Sequence, residues 1–98
     1  MNWIVEFEPP AQAEIAEAFE WYEEKSYGLG GDFLRVLAAA AEQLSRTPEA
    51  FPPTQAGFRR ILLRRFPYAL HFELLNGQTV SVLACLHHRR NPSRWPGS

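Results

Sequence analysis

The sequence contains a single cysteine among 98 residues, which excludes an internal disulfide. That residue, Cys85, lies in an apolar run where a buried, unreactive thiol is the usual state. Histidine is also scarce, and two of the three, His87 and His88, are adjacent and would point to opposite faces of a strand. With His71 as the only other histidine, we expect no metal site and no cofactor.

The chain also lacks long apolar runs. None approaches the roughly 20 residues needed to span a bilayer. The N-terminus has neither the basic segment nor the small-residue cleavage site of a secretion signal. At 98 residues and 46% hydrophobic composition, the sequence is typical of one globular domain, which we assign to residues 1–98. We expect a soluble, cytoplasmic protein.

The second half of the chain is nearly devoid of acidic residues. Residues 57–98 contain seven arginines and one acid, Glu73, a net charge of +6, whereas residues 1–56 contain three cations and ten acids, a net charge of −7. The total of −1 therefore conceals an arginine-rich half that suits an anionic partner. Its cations form three clusters, which are Arg59-Arg60, Arg64-Arg65 and His87-His88-Arg89-Arg90.

Hydrophobic periodicity predicts a strand and then two helices. Residues 3–8 alternate as a short strand that a Pro-Pro pair ends. Apolar residues recur with a helical period over 11–22, and the glycine-rich segment 28–31 is predicted to break this helix. A second helix with an apolar face over 33–44 is expected to end before Pro48.

The remainder has the pattern of an antiparallel β-meander. Strands are predicted at 58–65, 68–75 and 78–87, with a turn at Phe66-Pro67. Asn76-Gly77 between the last two strands is the strongest short hairpin signal, because both central residues of that turn need a positive φ. The predicted fold is α+β with the order β-α-α-β-β-β. It has a mostly antiparallel four-stranded sheet and an antiparallel helix pair on one face.

A two-residue hairpin loop determines the register of the last two strands. The predicted pairs are Leu75 with Gln78, Phe72 with Ser81 and Leu70 with Leu83. Alternation then groups the apolar residues of the last strand by face, with Val80, Val82, Ala84 and Leu86 on one side and Leu83 and Cys85 on the other. Two helices cover only one face of a sheet. The second face therefore needs either the C-terminal tail or another protein, and we favour a partner.

Two groups of residues are candidates for chemistry or recognition. Alternation places Arg60, Leu62 and Arg64 on one face of their strand and Arg59, Ile61, Leu63 and Arg65 on the other, so only one of the two sets can line a common groove. His87 or His88 beside arginines could act as a general base or acid on a ribose 2′-hydroxyl, with arginines stabilising the phosphate. Alternatively, each histidine only forms hydrogen bonds at a strand end.

Several short motifs together are recognisable. They are Trp21-Tyr22, Gly28-Leu29-Gly30 with Phe33, Arg65-Phe66-Pro67-Tyr68, and His88-Arg89-Arg90-Asn91-Pro92 with Trp95. With these motifs the chain resembles the RelE/ParE superfamily of small bacterial toxins over essentially its whole length. The resemblance implies the toxin of a type II toxin–antitoxin pair, neutralised in a hetero-oligomer by a cognate antitoxin whose C-terminal segment wraps the toxin.

The superfamily contains two activities, and the sequence bears on which one applies. RelE-type members cleave mRNA in the ribosome with cationic residues and a tyrosine. The resemblance places those positions at Arg60, Leu62, Ala69, Arg89 and Trp95. Two of the five are aliphatic, and an indole replaces the phenol and cannot exchange a proton. The RelE-type set is therefore incomplete.

ParE-type members instead poison DNA gyrase and need no catalytic residues. Our first hypothesis is a ParE-like, non-enzymatic toxin. Its expected target-binding residues are Arg60, Arg64, His88, Arg89, Arg90 and Trp95. Its expected antitoxin-binding residues are Val80, Val82, Ala84, Leu86 and Trp21. The alternatives are an endoribonuclease acting on ribosome-bound mRNA through Arg60, Arg89 and either His87 or His88, and an inactive member that only forms a complex or binds nucleic acid.

Overall fold

A four-stranded mixed sheet carries two helices on one face. The computed structural model describes residues 2–89. Its elements are β1 (Ile4–Phe7), α1 (Pro9–Lys25), α2 (Leu29–Arg46), a 3-10 turn (Pro48–Ala50), β2 (Arg59–Leu62), β3 (Tyr68–Leu75) and β4 (Thr79–His87). The strands lie in the order β1-β4-β3-β2, with β1 parallel to β4 and the other pairs antiparallel. The predicted α+β fold and element order are confirmed.

An aromatic cluster joins the helices to the sheet. Tyr22 of α1 and Phe33 of α2 pack against Phe66 with ring centroids 4.9 and 5.4 Å away. Tyr68 of β3 lies 5.4 Å from Phe33. All four side chains are buried, so the turn between β2 and β3 is packed against the end of the helix pair.

Within residues 2–89, neither helix combines the length and the apolarity that crossing a membrane requires.

The turn between the helices is shorter than the predicted break at 28–31. Gly28 has φ 87 and is the turn residue, but Gly30 and Gly31 lie inside α2. The carboxylate of Glu23 accepts hydrogen bonds from the backbone N–H groups of Gly28 and Gly30, each at 2.9 Å. These bonds satisfy donors at the start of α2 and let the helix begin at Leu29.

The predicted strand at 58–65 is also too long. β2 ends at Leu62 because Arg65 adopts a left-handed φ of 68 and the chain reverses there. Two tight backbone hydrogen bonds close this turn, from Phe66 N–H to the Arg64 carbonyl at 2.7 Å and from Tyr68 N–H to the Phe66 carbonyl at 2.8 Å.

The hairpin between β3 and β4 has the predicted turn but not the predicted register. Asn76 and Gly77 have φ of 56 and 68, as a turn of this type requires. The facing residues are shifted by one position, however, because Gln78 remains in the loop and Leu75 faces Thr79. Phe72 consequently faces Val82. Leu70 faces Cys85, two positions from the predicted Leu83, because a bulge adds one more residue to β4.

A β-bulge at Leu83 changes the orientation of the second half of β4. Pairing passes from Phe72–Val82 directly to His71–Ala84, so Leu83 is the extra residue. After the bulge Cys85 joins Val80 and Val82 in the core against the helices, while Ala84 and Leu86 turn to the opposite face. The prediction that Val80, Val82, Ala84 and Leu86 share one face is therefore wrong.

Because α2 lies close to α1 at Gly30, a larger residue at this position should lower the stability of the protein. A Cβ at this position would lie 2.8 Å from the Phe19 carbonyl oxygen and 2.9 Å from Glu23 Oε1. We expect Gly30→Ala to lower the free energy of unfolding by about 1–3 kcal/mol. Gly31→Ala is the matched control, since its nearest neighbour would be Arg35 Nη1 at 3.7 Å. That variant should be stabilised by about 0.5–1 kcal/mol, because alanine is the better helix former. Urea unfolding measures both, and equal effects would contradict the tight helix contact.

Candidate functional site

The sheet face opposite the helices is closed at its centre and open at its two edges. Its central side chains, Ala69, His71 and Leu86, are 0%, 2% and 4% exposed in the monomer. At the β2 edge, Leu62 is 57% exposed, and at the β1 edge, Ile4 is 56% exposed. A partner is therefore not required to shield the centre of this face. Arg60, beside Leu62 on β2, is also exposed.

Most residues predicted to bind the antitoxin are not accessible. Val80 and Val82 are fully buried in the core, and Leu86 is buried on the other face. Ala84 is half-buried. Trp21, at 42% exposed, is the only member of the predicted set with a large exposed apolar surface, and the Lys25 ammonium lies 4.7 Å from its ring centroid.

An apolar groove runs between α2 and the edge strand β2; we call it the edge groove. Its lining consists of Val36, Ala39, Ala40, Gln43 and Arg46 from α2, and Ile61, Leu62, Leu63 and Arg64 from β2 and the turn after it. The groove has a volume of about 340 Å³. It adjoins a cleft of about 660 Å³ that is lined by Arg60 and by residues 51–54 of the loop before β2.

The four arginines of the β2 region differ in their partners. The Arg59 guanidinium donates a 2.6 Å hydrogen bond to the Phe51 carbonyl and so holds the loop before β2. Arg65 lies 3.5 Å from the Asp32 carboxylate, and its guanidinium is 5.0 Å from the Phe66 ring centroid. Arg59 and Arg65 therefore anchor the segments before and after β2, and Arg60 and Arg64 are exposed members of the same region.

The turn after β2 and the end of β4 meet at one end of the sheet. Tyr68 faces His87, and the His88 N–H donates a 3.0 Å hydrogen bond to the Pro67 carbonyl. This brings together Arg64, His88 and Arg89, which we call the basic end. Two further predicted target-binding residues, Arg90 and Trp95, lie outside the described residues.

The comparisons with known proteins identify the family. A family model described as the ParE toxin of the type II toxin–antitoxin system parDE matches residues 5–92. The chain belongs to the ParE toxin family. Among solved structures, one titled "Chromosomal ParDE TA system from P. aeruginosa" matches with a TM-score of 0.72 and 14% sequence identity, covering 87% of this chain and 95% of that chain. At 14% identity, this structural similarity is evidence that the two chains share a fold. No curated protein matches the sequence.

In this ParE-family chain, the residues proposed for ribonuclease chemistry do not form one cluster. Arg60 faces His71, which faces Ala84, and Ala84 precedes His88 by four residues. That places Arg60 roughly 13 Å from His88 along the strands, plus two strand spacings of about 5 Å across the sheet. His87 is engaged locally, since its Nδ1 accepts a 3.1 Å hydrogen bond from the Arg89 N–H.

Two buried titratable groups of the ParE domain are held neutral. Burial raises the pKa of the Cys85 thiol to about 12, with a further contribution from the Glu14 carboxylate, so the thiol is unreactive at neutral pH. Burial also lowers the pKa of His71 to about 4, and the nearby Arg60 charge adds to this effect. Within residues 2–89, no group of three histidine, cysteine or acidic side chains is arranged to hold a metal ion.

The α2 side of the edge groove is not predicted from the sequence. Its signal is the run of four alanines at 38–41, which leaves α2 with little side-chain volume where it faces β2. Because alanine is a strong helix former, such a run is equally typical of an ordinary helix.

The buried His71 predicts a specific pH dependence of stability. Its pKa is about 4 in the folded chain and near 6.5 when unfolded, so only the unfolded chain takes up this proton between those values. Stability from this source is complete above pH 6.5 and is lost as the pH falls toward 4. Between pH 7 and pH 5 the expected loss is about 1–2 kcal/mol.

Urea unfolding at the two pH values measures this loss. The His71→Gln variant should lack it, whereas His88→Gln, which retains His71, should show it in full. An undiminished loss in His71→Gln would assign the pH dependence to other groups.

Proposed function

We propose that this ParE-family toxin arrests growth by binding DNA gyrase and stabilising its cleaved DNA complex, without chemistry of its own. The proposal rests on one observation: the positions that RelE-type members use for catalysis hold residues that cannot perform it. The place of a third-strand arginine is taken by Ala69, which is fully buried, and the place of a second-strand cation by Leu62. Arg60 is also too distant from His88 to share a reacting phosphate with it.

We further propose that a cognate antitoxin neutralises the toxin by occupying the edge groove. Among the described strands, β2 forms one edge of the sheet, where backbone groups can pair with an added strand. The adjacent floor is apolar, with Leu62 57% exposed, which suits alternate apolar side chains of an extended segment.

The rim of the groove indicates the charge of that segment. Arg60 borders the adjoining cleft, and Arg46 and Arg64 flank the groove itself. No acidic side chain is among the residues that line either space. The antitoxin segment is therefore expected to combine apolar with acidic residues, since arginine forms its best contacts with carboxylates.

The gyrase proposal is tested with the purified protein. It should inhibit supercoiling and accumulate cleaved DNA with gyrase, while relaxation by a type I topoisomerase, the control, is unaffected. Primer extension on translating ribosomes should show no new mRNA ends. New mRNA ends without an effect on gyrase would contradict the proposal and favour the endoribonuclease alternative.

The groove proposal predicts a separation of toxicity from neutralisation. Leu62→Glu should still arrest growth, because the substitution is on an exposed edge residue. Co-expression of the adjacent reading frame should no longer restore growth, and the affinity of the purified pair should fall by at least about 10-fold.

Leu75→Glu is the matched control for this experiment. Leu75 is also partly exposed, at 39%, but lies at the hairpin end of β3 away from the groove. It should leave both toxicity and neutralisation unchanged. Full neutralisation of Leu62→Glu would place the antitoxin elsewhere.

A further inference from the structure

Within residues 2–89, the guanidinium groups of two arginines of the basic end, Arg64 and Arg89, are not in an ion pair. Arg35, Arg46 and Arg65 form ion pairs with acidic side chains, and Arg59 binds backbone carbonyls. In the part of the chain that the structure describes, no side chain pairs with Arg64 or with the guanidinium of Arg89. Both residues are exposed. Their positive charge is therefore exposed to solvent and is not neutralised by an acidic side chain of residues 2–89.

The backbone at Arg64 and the residue before Arg89 are held in place. Arg64 lies in the tight turn closed by its own carbonyl, and the neighbouring Arg65 side chain is anchored to Asp32. The end of β4 is attached to the same turn through the His88 N–H and the Pro67 carbonyl. Binding of an anion therefore has to order these arginine side chains but not the backbone segments that carry them.

Two acidic residues near the basic end are engaged within the fold. Glu14 of α1 accepts the Cys85 N–H at 2.9 Å, two positions before His87, and Asp32 is paired with Arg35 and Arg65. The one acid of residues 57–98, Glu73, faces Ser81, six positions before His87, and is therefore about 20 Å away along the sheet. Residues 57–98 carry a net charge of +6 although the whole chain has a charge of −1.

The basic end also lacks the apolar centre of a protein interface. The large exposed hydrophobic side chains of residues 2–89 are Ile4, Trp21, Tyr27, Leu34, Leu62 and Leu75. None belongs to the turn at 63–67 or to residues 87–89. A surface of exposed arginines without an apolar core fits a phosphate backbone better than a folded protein.

We propose that the basic end binds the sugar–phosphate backbone of duplex DNA through Arg64 and Arg89. The toxin would then contact the DNA segment held by gyrase as well as the enzyme. The choice of DNA over another polyanion rests on the proposed function. Arg64 also lines the edge groove, so an antitoxin segment in the groove would cover one of the two DNA contacts.

The test measures DNA binding directly, without gyrase. Fluorescence anisotropy of a labelled duplex of about 30 base pairs is followed with the full-length protein between about 20 and 200 mM salt. Two phosphate contacts predict that log Kd rises with log salt with a slope of at least about 1.8. Arg64→Ala and Arg89→Ala should each weaken binding several-fold and lower the slope by about 0.9.

Arg35→Ala is the matched control, because Arg35 is an exposed arginine of α2 that is paired with Asp32 and belongs neither to the edge groove nor to the basic end. It should leave affinity and slope unchanged, and circular dichroism should show that all three variants are folded. Absence of duplex binding at the lowest salt would overturn the proposal. So would equal binding by all variants, or a preference for duplex RNA or for polyglutamate over DNA. Because gyrase is absent from this assay, its outcome is independent of the supercoiling test.

Discussion

The β-bulge at Leu83 decides which side chains of this toxin face outward. Two residues after the bulge, the Cys85 N–H donates a 2.9 Å hydrogen bond to Glu14 Oε1, so a carboxylate of α1 satisfies a backbone group of β4 beyond Val82, the last residue paired with β1. The bulge turns Cys85 into the core and Ala84 and Leu86 away from it. A regular strand would instead place Leu86 with Val82 beneath the helices and leave Cys85 outside.

This reorientation separates two surfaces. The centre of the sheet face opposite the helices is buried in the monomer, so its exposed apolar side chains lie at the edges, Ile4 on β1 and Leu62 on β2, of which Leu62 lines a groove. The cations collect where the turn after β2 meets the end of β4. Arg64 belongs to both surfaces, which provides a physical route by which occupying one affects the other.

The element order and the fold class follow from periodicity and from turn signals, and both were predictable. The hairpin register was not, because Asn76-Gly77 specifies the turn but not whether Gln78 pairs or stays in the loop. The bulge was not predictable either, since every residue of 82–86 is apolar and any alternation is compatible with that run. Gly30 is predicted to break the helix, but it lies inside α2, where it contacts Phe19 of α1 closely. This tertiary contact cannot be read from the sequence. The arginine clusters can be read from the sequence. Which arginines are anchored depends on tertiary contacts with Asp32 and the Phe51 carbonyl, and these cannot be read from it.

We propose that the antitoxin adds to the open edge of the sheet at β2 and not to the closed centre of its face. Amide hydrogen exchange of the toxin, alone and in complex with the protein of the adjacent reading frame, tests this most directly. The account predicts that the amides of β2 exchange quickly in the free toxin and become strongly protected in the complex, together with the facing segment of α2. Protection confined to β1 or to α1, with β2 unchanged, would contradict it.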